Sequence, residues 1–206
     1  MRAVAFAVLF VLATACSAPD SAQTTGPTPP SEAPAAAEPL DTARAPAVTA
    51  QSDTLKVVRR RHLFSSPTTP DVFTLALRGS SLLGGEATLT ITDGSGQVIF
   101  REVLSAADLE ASLVYEMKQS TATATEREAF VRKRMDEFFA DKNFRTPAIS
   151  PQQAYQPGTL DRAAWDELRR QPKTIGFQYL VGKEDARRVV WSPLKKQVVQ
   201  LPGFGG

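Results

Sequence analysis

Two stretches of strict alternation constrain this chain more than any other feature. In residues 71–78, Phe73, Leu75 and Leu77 take every second position, with Thr74, Ala76 and Arg78 between them. In residues 86–92, Ala87, Leu89 and Ile91 alternate with Thr88, Thr90 and Thr92. Successive side chains of a strand point to opposite faces, so each stretch has one face to bury and one to leave wet. Half-buried strands of this kind belong to antiparallel sheets. Asp93-Gly94-Ser95-Gly96 reads as a hairpin connection into a further strand over 97–104. Residues 55–64 read as a strand before the pair. Together these predict a three- or four-stranded meander.

Helical spacing follows. Thr125 and Glu128 stand three residues apart, the spacing of a capping box. Phe130, Val131, Met135, Phe138 and Phe139 then form an apolar stripe opposite Arg132, Lys133 and Asp136, which predicts a helix ending near 141–143. A shorter helix is expected over 160–170, capped by Thr159 or Asp161 and packing through Trp165 and Leu168. The tail returns to period two, with Ile175, Phe177, Tyr179 and Val181 alternating. A turn over 182–186 and strands over 187–191 and 196–201 complete it. Strands, then helices, then strands predict an α+β fold. The expected form is one antiparallel sheet of about six or seven strands, with one longer and one shorter helix packed on one face.

Upstream the composition changes. Seven of the 15 prolines fall in residues 17–52, among Ala, Ser and Thr and without one aromatic residue. Such a segment cannot bury enough apolar surface to offset its ordering entropy, and it is read as a disordered tether. Thirty-six residues reach roughly 35 Å as a coil and about 110 Å as drawn-out polyproline II. The globular domain is then 53–206. Residues 1–15 carry Arg2, an apolar run, and small residues at 13–15, the pattern of a secretory signal peptide. The run is about 13 residues, short of the ~20 a membrane-spanning helix needs. Arg2 puts +1 on the leader, and Asp20, Glu32, Glu38 and Asp41 against Arg44 put −3 on the tether. The overall +2 therefore leaves +4 on the domain. That balance is too small and too spread for a nucleic-acid partner. The chain has one cysteine, Cys16, so no intramolecular disulfide forms and the domain is held by its core.

Leu12-Ala13-Thr14-Ala15-Cys16 resembles the lipobox of bacterial lipoproteins, with the leucine one place further from the cysteine than is usual. The resemblance covers the leader alone. It implies cleavage before Cys16, acylation of that residue with palmitate-type chains, and anchoring in a lipid bilayer of the cell envelope. Ser17 after the cysteine, in place of Asp, points to the outer membrane. Several acyl chains on one residue give stable attachment where one gives only marginal binding.

No catalytic constellation, cofactor motif or metal-ligand spacing is legible in the domain. His62, the only histidine, has Ser65 and Ser66 nearby but no nucleophile elbow. Residues 176–183 imitate a phosphate-binding loop with one residue too many between the glycines, and Glu184 stands where a magnesium-binding hydroxyl belongs. Asp93 and the pair Glu184-Asp185 read as turn residues. Among several basic runs the densest is Arg59-Arg60-Arg61. Strand alternation puts Arg59 and Arg61 on one side, as candidate contacts for an anionic ligand. Tyr155, Trp165 and Tyr179 are expected in core or edge packing rather than in a shared groove. The expectation is a non-enzymatic envelope module binding a partner protein or an anionic polymer. The alternatives are a hydrolase using Asp/Glu without a motif, and a structural or assembly factor.

Overall fold

The two alternating stretches form the centre of a four-stranded antiparallel sheet. Its strands are β1 (Thr54–His62), β2 (Asp71–Arg78), β3 (Glu86–Thr92) and β4 (Val98–Ser105), in that spatial order. The computed structural model describes residues 48–49, 51–117, 120–158 and 160–202. The expected signal peptide, Cys16 and the expected tether as far as residue 47 lie outside the described residues. Phe73 pairs with Ile91, Leu75 with Leu89 and Leu77 with Ala87, so six apolar side chains share one face, and all six are fully buried. Asp93 shapes the β3–β4 turn by accepting from the N–H groups of Ser95 and Gln97, both at 2.9 Å. Gly96, at φ +89°, takes the left-handed step that closes the turn. Hydrogen bonds, the Ser95 hydroxyl first, hold the Asp93 carboxyl below its ordinary range.

The chain then turns helical. Ser105 ends β4 and caps α1 (Ala106–Glu110) in a reciprocal box with Asp108. The longer helix, α2 (Ala124–Glu137), starts two residues earlier than the sequence predicts. Its cap is Thr123, whose hydroxyl accepts from Glu126 N–H at 3.3 Å while Glu126 accepts from Thr123 N–H at 2.8 Å. The threonine–glutamate spacing occurs at 123–126 as well as at 125–128. The earlier box prevails because it adds backbone hydrogen bonds to a helix already nucleated. Phe138 and Phe139 follow the last turn, and a separate 3-10 turn at Asp141–Asn143 stands where the helix was expected to end. The shorter helix is α3 (Arg162–Arg170), capped by Asp161, which accepts from Ala164 N–H at 2.9 Å. Thr159, the other candidate cap, lies outside the described residues.

The remaining strands form a second antiparallel sheet rather than extending the first. β5 (Phe144–Arg145), β6 (Gly176–Val181), β7 (Asp185–Ser192) and β8 (Gln197–Leu201) lie in that order. Among the described residues, the expected single sheet is thus corrected to two sheets of four strands, with three α-helices. The physical reason lies in the residue pattern of β7, where neighbours Val189 and Val190 are both buried. A strand apolar on both faces needs cover on both sides. Phe177, Tyr179 and Val189 pack with the inner face of the first sheet and with α2, whereas Val190, Val199 and Leu201 pack with Trp165 and Leu168 of α3. The two helices therefore cover opposite faces of the second sheet, not one common face.

Aromatic rings fill the contact between the sheets. Phe73 meets Phe64 at 5.3 Å, Phe144 and Phe177 each at 5.2 Å, and Phe139 at 5.9 Å between centroids. Beside this cluster runs one polar tie. Glu102 on β4 accepts from the Tyr179 hydroxyl on β6 and from Arg187 on β7, and Arg187 also reaches Asp185 at 2.8 Å. Burial, and after it the Asp185 charge, raise the Tyr179 phenol well above the ordinary tyrosine range.

Two outcomes follow from this packing. Phe73→Ala is expected to cost about 3–5 kcal/mol of unfolding free energy, measured by urea denaturation, because the surrounding rings cannot collapse into the space. Tyr179 keeps its proton in the folded state to a higher pH than in the unfolded chain. The stability of the wild type relative to Tyr179→Phe is therefore expected to be constant up to about pH 10 and to decline above it, read from urea midpoints across alkaline pH.

Candidate functional site

The pairing register fixes where the basic residues of β1 point. Arg60 lies opposite Phe73 and turns inward to the rim of the core, where it pairs with Asp141 at 2.5 Å. Lys56, on the same side, pairs with Asp136 of α2 at 2.7 Å. Arg59 and Arg61 lie opposite Thr74 and Val72 and point to the outer face, as alternation predicts. Both are exposed, and neither side chain forms an ion pair or hydrogen bond among the described residues.

Following the register across the sheet extends this site. Thr74 pairs with Thr90, and Thr90 pairs with Arg101, so one row runs Arg59, Thr74, Thr90, Arg101. Three inter-strand spacings put the two arginines of that row about 14 Å apart at the backbone. Arg101 is exposed and, among the described residues, also without an ionic partner. Reading the sequence alone misses it, because it stands by itself in its strand and only the register aligns it with Arg59. The shift in pairing at Ile91/Thr92 sets which β4 residues face outward. Val98 and Val103, 53% and 51% exposed, complete the outer surface of β4. Of the helices, α2 lies on the inner face, α3 on the second sheet, and α1 against α2, β6 and the end of β4 that leads into it.

The other basic runs do not join this face. Lys133 pairs with Glu116, Arg169 with Asp166, Arg187 with Glu102 and Asp185, and Lys195 with Asp161. Burial pushes the Arg134 and Arg188 guanidiniums below their usual range. Tyr155 packs edge-on against Trp165 at 5.8 Å and donates its hydroxyl to Leu160 O at 3.1 Å, whereas Tyr179 lies in the other core. The three aromatic residues thus serve packing and share no groove.

His62, Ser65 and Asp71 do come close, but not in a nucleophilic arrangement. The Ser65 hydroxyl donates to Asp71 at 2.7 Å, and the Ser65 N–H donates to the same carboxylate at 2.6 Å. The imidazole stacks flat on Phe144 at 3.9 Å, with Nδ1 2.7 Å from Leu63 O. In a triad the imidazole accepts the hydroxyl proton, whereas here the ring meets Phe144 and Leu63 O and the hydroxyl is held by Asp71. This cluster closes the β1–β2 loop over a buried carboxylate.

A half-open cavity of about 600 Å³ lies at the His62 end of β1. Its walls are residues 63–67, residues 170–175, Trp191 and Pro193. The end of β1 at Thr54, where the preceding chain enters, is roughly 27 Å away along the strand. No sequence pattern marks this cavity, since its three walls come from loops far apart in the chain.

Among the described residues no group of three His, Cys, Asp or Glu is placed to hold a metal ion, and no helix is long and apolar enough to cross a membrane. In comparisons with known proteins, no family model, no curated protein and no solved structure matches the chain.

Among the described residues the outer arginine side chains make no ion pair or hydrogen bond, and this sets an expectation for their removal. Arg59→Ala and Arg61→Ala should each leave unfolding free energy within about 0.5 kcal/mol of the wild type, as measured by urea denaturation. A larger loss would mean that these side chains serve the fold.

Proposed function

We propose that this protein is a lipid-anchored component of a bacterial cell envelope, held in the outer membrane through acylated Cys16. Its domain acts as a non-enzymatic binding module, and the partner is an anionic envelope polymer such as an acidic polysaccharide. One observation carries the reading: among the described residues, the side chains of Arg59, Arg61 and Arg101 stand unpaired on an outer sheet face, and α2 and α3 pack elsewhere. Charges not engaged within the fold are free to meet an external anion. Screening at physiological salt acts over about 8 Å, so the partner has to touch this face rather than be drawn to it from afar. The threonine hydroxyls between the arginines add donors and acceptors suited to a hydroxylated chain. Acylation and a long tether would keep such a module at its membrane while letting it reach a polymer beyond the headgroups.

Two measurements test this. The intact mass of the mature protein from the membrane fraction is expected to show a chain starting at Cys16 with added acyl groups, all lost in Cys16→Ser. An unmodified soluble chain would end the anchoring claim. Binding to polygalacturonate, read by co-sedimentation, should weaken as salt rises and be lost in the Arg59→Glu, Arg61→Glu double variant, with neutral dextran unbound throughout. Equal binding by the wild type and the double variant would end the claim for this face.

A further inference from the structure

The cavity at the His62 end of β1 has a chemistry unlike that of the sheet face. Its lining is mostly apolar, with Phe64, Ile175 and Trp191 exposed to its interior and prolines in all three walls. It contains no acidic residue and two cations, Arg170 and Lys173. Neither side chain forms a hydrogen bond or a close ion pair among the described residues, and the Arg170 charge acts only at longer range on Asp166, one helical turn away.

The hydroxyl and amide side chains of the lining are engaged within the protein. Ser65 donates to Asp71 at 2.7 Å, and Ser66 Oγ accepts from Thr69 N–H at 3.1 Å. Gln171 Nε2 donates to Glu167 at 3.2 Å, and the Thr174 hydroxyl donates to Gln171 O at 2.9 Å. Two unpaired positive charges beside an apolar trough therefore define what fits: one anionic end and an apolar body with little hydrogen-bonding need. A peptide brings an N–H and a C=O with every residue, and burying these against Phe64, Ile175 and Trp191 without partners is costly. A hydrocarbon chain brings none.

We propose that this cavity binds the anion of a single-chain fatty acid, with the carboxylate between Arg170 and Lys173 and the chain along Phe64, Ile175 and Trp191. The volume lies within the ordinary range of ligand pockets. The prolines and internal hydrogen bonds hold the loops in place before the ligand arrives, which lowers the ordering cost of binding. This site is separate from the sheet face and does not depend on what that face binds.

The two tryptophans make the test direct. Trp191 lines the cavity, whereas Trp165 is fully buried in the second core. Dodecanoate, titrated below its micelle concentration into the purified protein, is expected to give a saturable fluorescence change. That change should survive Trp165→Phe and vanish in Trp191→Phe. Native mass spectrometry should count one dodecanoate per wild-type chain, a readout that needs no tryptophan variant. The Arg170→Glu, Lys173→Glu double variant should weaken dodecanoate about tenfold, as expected for two partly exposed charge pairs reversed, and leave dodecanol unaffected. No saturable change, or equal affinity for dodecanoate, dodecanol and dodecyltrimethylammonium, would overturn the proposal. So would an acidic proline-containing peptide that titrates Trp191 where dodecanoate does not.

Discussion

The structure depends on how one apolar face is covered. β2 and β3 each turn three apolar side chains the same way, and a sheet with such a face is stable only when a second layer closes it. That layer is shared between α2 and the second sheet, and the rings of Phe73, Phe139, Phe144 and Phe177 meet where the three elements join. Each buried aromatic side chain contributes about 1.5–3 kcal/mol by removal from water, and edge-on ring pairs add about 0.5–1.5 kcal/mol. Truncating one such ring costs about 3–5 kcal/mol, a large fraction of a typical net stability of about 5–15 kcal/mol.

Burying one face in this way leaves the other free. The inner residues of β1 are spent on the fold, Lys56 and Arg60 tying the edge strand to Asp136 and Asp141. The outer residues of the same strand are not. Three consecutive arginines thus divide by alternation into one that pairs with Asp141 on the inner side and two that face outward. The Glu102, Tyr179 and Arg187 tie does for the other edge of the first sheet what Lys56 and Arg60 do for β1. With both edges secured, the outer face is a fixed platform on which the separation of Arg59 and Arg101 is set by strand spacing rather than by loop geometry.

Much of this was legible beforehand, for local reasons. The inward residues of β2 and β3, the Asp93 turn, the stripe of α2 and the packing of α3 through Trp165 and Leu168 all follow from periodicity and turn chemistry. The reading failed where two local solutions competed or where partners were distant in sequence. The capping box moved to Thr123 because the same spacing occurs twice within six residues. The single sheet became two because strands such as β7 carry apolar residues on adjacent positions, a pattern that says both faces are buried but not by what.

The sequence by itself determined which side of β2 and β3 is apolar, that two helices lie between the sets of strands, and that Arg59 and Arg61 share a face while Arg60 opposes them. These are properties of neighbours within a few residues, governed by backbone geometry. Only the tertiary structure decided that Arg101 lies in the row of Arg59, that the helices cover opposite sides of the second sheet, and that residues 63–67, 170–175 and Trp191 enclose a cavity. Those outcomes depend on strand register and on how separate apolar faces close against one another, and such long-range choices leave no period in the chain.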